Sequence, residues 1–423
     1  MGRRRRRGRG GGRRAAGVLL AGALLLSGCA DGGGPGAGTG SADRVPGADA
    51  RAVRALLDRR AAAVTARDAD AYLASVDPRA TGLRTAQRQE LDNLADVPLA
   101  SWTYRVTELT GQGADRVTAH VRLSYRIKEY DRAPATADRV LDLRRDGADG
   151  RWYLTADRPG ADGGGLLWQQ GRVRAVRGTH SLVLGVGRTG RELRAISRVA
   201  DRAVPVVSGA WPERWPGRVL VLVPHTAEDM AGLLGAPAAD YRGMAAVTTA
   251  RPGGPGGAPA DRVIVNPQAY GALGAFGQRV VLTHEITHVA TRARTTGATP
   301  AWLSEGFADR VAYRAEHRTA AQAAPELAAA VRRGEVPAAL PSDEDFGFAG
   351  DEARLAKAYE GGLLACELIA DAWGERRLSA FYRAVAGQRE RAGAVERALR
   401  EVLSSTPAEF TARWREYLRA RLG

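Results

Sequence analysis

Cysteine is nearly missing from this chain of 423 residues. Cys29 and Cys366 are the only two, so a disulfide framework is excluded as the source of its stability. Lysine is almost as scarce, with Lys128 and Lys357 standing among 62 basic residues. Aromatic residues make up 6%, and no compact Lys/Arg patch is interleaved with them, which argues against nucleic acid as a partner. No apolar run is long enough for a comfortable membrane span. What is abundant is Arg, Ala and Gly, the usage of a GC-rich coding sequence. The formal charge is +15, and eight of those charges are Arg3 to Arg7, Arg9, Arg13 and Arg14. The remainder carries roughly +7, enough for weak attraction to an anionic surface.

The Arg-rich start is followed by AAGVLLAGALLL and then LSGC. A basic segment, a short apolar run and small residues have the form of an export signal. LSGC at Leu26–Cys29 resembles the bacterial lipobox. That resemblance implies cleavage before Cys29, lipidation of its sulfur, and a protein anchored on the extracytoplasmic face of the cell membrane. The plainer alternative is an ordinary cleaved signal in which Cys29 is incidental, and the export route, Sec or Tat, stays open. Residues 29–48 are Gly-rich without apolar periodicity and read as a flexible tether.

Residues 49–160 read as one α+β domain. A helix carries Val53, Leu56, Leu57 and Ala61 at helical spacing. A second helical stretch, TAQRQELDNLADV, precedes four alternating segments. In AHVRLSYRI, Val121, Leu123, Tyr125 and Ile127 share one face, and His120, Arg122, Ser124 and Arg126 the other. Helices followed by antiparallel strands give an α+β layer fold, and the order resembles the cystatin-like, SnoaL-type cone. His120, His180 and His225 read as surface residues. ADGGG at 161–165 marks a boundary. Residues 166–423 start with strands HSLVLGVG, RVLVLVP and DRVIVNPQ, interrupted by helices and the loop RPGGPGGAPA, and turn mostly helical from 277 onward.

QRVVLTHEITHVATRA carries the chemistry. His284 and His288, four residues apart on a helix, lie on one face and can both reach one tetrahedral Zn²⁺. Glu285 projects beside them, where it can accept a proton from a metal-bound water. Seventeen residues after His288, Glu305 stands in a second apolar-striped helix, PAWLSEGFADRVAY. A turn-like TRARTTGATP between them lets the helices fold back and bring Glu305 to the two His. Asp309, one turn further, can orient a ligand imidazole by accepting its N–H.

VLTHEITHVA followed by WLSEGFADRVA resembles the gluzincin zinc metallopeptidases of the thermolysin and aminopeptidase N clan. The spacing from His288 to Glu305 is shorter than in the aminopeptidase N relatives. Beyond this motif, the similarity extends over most of 166–423, in the style of peptidase MA-like lipoproteins. The resemblance implies a zincin-like fold with a mixed sheet and a helical lobe, peptide or protein substrates, Glu305 as third ligand, and Asp309 in support of His284. AYEGGLLACELIADAWG resembles the Tyr-x-x-Gly helix start of the same relatives. That makes Tyr359 a candidate oxyanion donor, set against an ordinary core tyrosine. The strand DRVIVNPQ would be the edge strand that pairs with substrate. No Gly-x-Met-x-Asn motif is present, so aminopeptidase specificity is not implied. Cys366 reads as a small buried apolar residue. The expectation is a lipid-anchored zinc metallopeptidase. The alternative is a catalytically silent binding or scaffolding lipoprotein.

Overall fold

A computed structural model describes residues 45–160, 164–241, 243–249, 261–347 and 351–423. The signal segment, Cys29, most of the tether and the RPGGPGGAPA loop lie outside the described residues.

The first part is built from α1 (Gly47–Ala66), α2 (Ala69–Leu73) and α3 (Thr81–Asn93). Strands β1 (Leu99–Gly111), β2 (Arg116–Ile127), β3 (Ala135–Arg145) and β4 (Trp152–Pro159) follow as a consecutive antiparallel sheet. Its alternation is the one read from the sequence. Val121, Leu123 and Ile127 are buried, while His120 is exposed. Val53, Leu56 and Leu57 of α1 pack on that inner face with Val121, Leu141 and Leu154.

The second part has a mixed five-stranded sheet. Its strands are β5 (Val173–Arg177), β6 (Ser181–Val186), β7 (Val219–Val223), β8 (Ala246–Thr249) and β9 (Arg262–Val265). The spatial order is β5-β6-β7-β9-β8. β6, β7 and β9 run parallel, and the flanking β5 and β8 run antiparallel to their neighbours. One expectation is corrected here. The strand of DRVIVNPQ is β9, held between β7 and β8, so it is not an edge strand. The edge next to β9 is β8, a short AVTT segment too brief to advertise itself, and β5 is the edge on the far side. Asn266, at the end of β9, caps the next helix through Oδ1, which accepts from the N–H of Gln268 and Ala269.

Central strands buried on both faces are continuous apolar runs, and VLVLV and SLVLGV are of that kind. Val183, Val221 and Val263 face α4 (Gly190–Ala210) and α7 (Ala275–Thr291), after α5 (Ala227–Leu234) and α6 (Pro267–Ala272) along the chain. Leu184, Leu220, Leu222 and Ile264 face the other way. They share a cluster with Leu123, Ile127 and Trp168, so the two sheets are joined by apolar packing. A cavity of about 280 Å³ remains where they meet, and the buried Arg262–Asp131 pair, 2.8 Å apart, crosses the same junction.

The helical lobe continues with α8 (Ala301–Arg314), α9 (Ala320–Ala323), α10 (Pro325–Arg332) and α11 (Glu352–Trp373). It ends with α12 (Glu375–Ala386), α13 (Ala394–Leu403) and α14 (Pro407–Leu422). A capping box at Thr406 starts α14, with Pro407 in its first turn. Cys366 is fully buried. The described residues form an α+β molecule with two sheets, and no described helix is long and apolar enough to cross a membrane.

Candidate metal centre

Helix α7 is buried on every side from Val280 to Thr291. A helix enclosed all round needs a reason for any ionisable side chain it carries, since an unpaired charge there is costly. His284, Glu285 and His288 are all at or below 4% exposure.

Helix α8 folds back beside α7. Its first turn has no side chain of its own to cap it, and the N–H of Ala301 is instead accepted by Asp343 Oδ1 at 2.8 Å. Thr295 Oγ1 meets the Tyr382 hydroxyl at 2.8 Å, and Thr296 Oγ1 donates to the carbonyl of Ala386 at 2.9 Å. These bonds fix the turn between the two helices. Arg279 and Glu316 close the opposite ends of α7 and α8 with a two-pronged ion pair at 2.7 and 2.6 Å.

The result is a convergence of three donor atoms. His284 Nε2 and His288 Nε2 are 3.0 Å apart, and Glu305 Oε2 lies 3.2 Å from the first and 3.3 Å from the second. A tetrahedral zinc site with metal–nitrogen distances of about 2.0–2.1 Å has ligand–ligand edges of about 3.3 Å. The three atoms therefore have the spacing of one face of such a tetrahedron. Among the described residues, this is the one His/Cys/Asp/Glu group close enough to hold a metal ion. Behind it, Asp309 Oδ1 accepts from His284 Nδ1 at 2.8 Å. A proton held on Nδ1 leaves the lone pair on Nε2, the atom facing His288 and Glu305.

The electrostatics of the cluster follow from burial and from these pairs. Burial works against an imidazolium at His284, but Asp309 and Glu305 outweigh it and hold its pKa well above the ordinary histidine value. Burial alone would raise Glu305. The two His side chains reverse that and bring it down to about 2. Glu285 is raised by burial, with His284, His288 and Thr248 pulling the other way.

Glu285 is set by a residue that the sequence did not single out. Thr248 on β8 donates its hydroxyl toward Glu285 Oε2 at 2.7 Å, with the main-chain oxygen of Glu285 at 3.0 Å. Glu285 Oε1 is buried with no hydrogen-bond partner among the described residues. Thr248 lies 37 residues before Glu285, in a segment with no motif, so only the strand order brings them together.

Tyr359 stands on α11, which crosses α8 in backbone contact. A Cβ on Gly306 would sit 2.2 Å from the carbonyl oxygen of Gly362, and one on Gly362 would sit 2.6 Å from that of Trp302. The glycine of the Tyr-x-x-Gly pattern thus has a packing reason. The crossing brings Tyr359 into the field of Glu305. Its ring packs edge-on against Phe346 with centroids 5.1 Å apart. Its hydroxyl has no hydrogen-bond partner among the described residues. Burial first, and then the carboxylates of Glu305, Asp309 and Glu285, hold the phenol far above its usual pKa. It is therefore a neutral donor.

No family model and no curated protein matches the chain. Among solved structures it overlaps a two-domain M1 zinc metallopeptidase mutant bound to L-arginine, at 12% identity and a TM-score of 0.35, covering 74% of this chain and 92% of that one. It also overlaps an M1 zinc metallopeptidase mutant from Deinococcus radiodurans bound to a Tyr-Ser-Ala substrate. There the identity is 12%, the TM-score 0.32, and the coverage 73% and 91%. Overlaps this loose carry no argument about the present chain.

Proposed function

We propose that this chain is a zinc-dependent metallopeptidase, anchored by a lipid on Cys29 to the extracytoplasmic face of the membrane. The observation that carries the reading is the triangle of His284 Nε2, His288 Nε2 and Glu305 Oε2, backed by Asp309. Two imidazoles and one carboxylate are a donor set suited to zinc, and they would hold the ion. When bound, zinc supplies a Lewis acid for the substrate carbonyl and lowers the pKa of water.

The rest is work for the chain's own residues. Glu285 takes a proton from the attacking water at Oε1, which has no other partner among the described residues, and delivers it to the departing amine. Tyr359 donates a hydrogen bond through its phenolic O–H to the oxygen that gains charge in the tetrahedral intermediate and keeps its proton. β8 leaves one side unpaired among the described strands. An extended peptide adding to that side would lie along α7. Asp309 keeps the His284 ring turned so that Nε2 stays available.

The test is an unbiased peptide library incubated with wild-type protein and with Glu285→Gln. The expected result is cleavage by wild type and a loss of at least ~10²-fold in the variant with its zinc retained. Peptides bound but never cut by the wild type would favour the scaffolding alternative. Equal cleavage by both proteins would remove Glu285 from the mechanism. The anchor is tested separately. Cys29→Ser is expected to move the protein from the membrane to the soluble fraction, and an unchanged distribution would contradict it.

A further inference from the structure

The geometry points to Thr248 as the positioning residue for Glu285, an inference that rests on the reading of Glu285 as the proton acceptor. The two oxygens of the Glu285 carboxylate are not equivalent here. Oε2 is held by the Thr248 hydroxyl at 2.7 Å, while Oε1 is buried and has no partner among the described residues. A carboxylate at the end of a flexible side chain can turn about its last bond. A donor fixed on one oxygen selects the plane of the group and dedicates the other oxygen to the substrate side.

Thr248 is suited to this by its place on the strand. Side chains alternate along β8. Val247 packs into the cluster between the sheets, and Thr249 lines the cavity there. Thr248 turns the other way, onto α7, and is 5% exposed. A β-branched side chain has few rotamers open to it, so the hydroxyl is delivered with little freedom left. The hydroxyl has one proton and two acceptors in reach, the Glu285 carboxylate at 2.7 Å and its main-chain oxygen at 3.0 Å. The shorter contact is the one to the carboxyl oxygen, so the hydroxyl proton is directed there. β8 is also an edge strand among the described strands, so the element that would receive a peptide backbone is the one that orients the base.

A purely structural role, tying β8 to α7 through the main-chain contact, is the rival account, and the experiment separates the two. Thr248→Val keeps the shape and removes the hydroxyl, Thr248→Ser keeps the hydroxyl, and Thr248→Ala serves if the valine variant does not fold. On a peptide that the wild type cleaves, Thr248→Val is expected to lose about 10- to 100-fold in kcat. Its KM and zinc content should stay within about twofold, and Thr248→Ser should recover to within about threefold. A valine variant with unchanged kcat overturns the proposal. So does a serine variant as impaired as the valine one, or a loss explained by missing zinc. A readout that needs no turnover is the crystal structure of the metal-free wild type and Thr248→Val. Glu285 should keep one carboxylate orientation in the wild type and turn in the variant, and the same orientation in both overturns the proposal. If Glu285→Gln retains full turnover, the assignment of the base fails, while the crystallographic pair still decides what Thr248 does.

Discussion

His284 has both ring nitrogens committed, Nδ1 to Asp309 and Nε2 toward Glu305 and His288. Nε2 thus faces a carboxylate and a second imidazole at once, where a satisfied core histidine needs only one partner at each ring nitrogen. A different buried acid shows what the interior does to a carboxyl without a cation. Glu360 on α11 accepts from the backbone N–H of Glu326 and Leu327, at 3.1 and 2.6 Å, and so caps the start of α10. Burial still pushes its pKa up to about 7, against those two bonds. The folded value lies above the unfolded one. The contribution of the protonated form is therefore complete below about pH 4.5 and is lost as pH rises through about 7. Wild-type protein should lose on the order of 3 kcal/mol relative to Glu360→Gln between pH 5 and pH 8. Denaturant melts of both proteins at the two pH values measure this, and a gap that does not change with pH would contradict it. At this scale the sequence was most informative where chemistry is contiguous. His284, Glu285 and His288 occupy a single turn and a third of helix, and Glu305 and Asp309 one turn of the next. Thr248 was illegible because a lone threonine has no pattern, and its meaning comes from a partner on another element.

Elements that announce themselves by periodicity were readable, including α1, the alternating β2 and the apolar β6 and β7. Helix α7 was readable from its motif, since burial on all sides leaves no amphipathic stripe. The order of strands was not readable. Local sequence carries no record of β8 stepping outside β9, so the family resemblance points to DRVIVNPQ as an edge strand where AVTT lies. The α8–α11 crossing was half legible. Gly362 is the glycine of the Tyr-x-x-Gly pattern, but its counterpart at Gly306 and the backbone contact belong to the packing. Substituting Gly362 by Ala would put a methyl group 2.6 Å from the carbonyl oxygen of Trp302. Backbone cannot yield as a flexible side chain can, so α11 must move off α8. The expected cost is about 1–3 kcal/mol, with Tyr359 displaced from Glu305. A thermal melt of Gly362→Ala should show the drop, and a melting temperature equal to wild type would mean that the helices do not cross this closely.

As a whole molecule, the chain puts its α+β first part against the outer face of the mixed sheet and its helical lobe against the inner face. The three ligand atoms lie on the lobe side, within one apolar cluster that runs from Val183 on β6 to Leu422 on α14. Burying two histidines and three carboxylates there is unfavourable without a cation at their centre. That links metal to stability, because a ligand bound by the folded state alone stabilises it. The measurement that tests the central claim most directly is the zinc content of the purified full-length protein beside Glu305→Gln, by elemental analysis after exhaustive dialysis. The account predicts about one zinc per chain in the wild type and strongly reduced content in the variant. A wild-type protein without zinc, or a variant that holds as much, would contradict it.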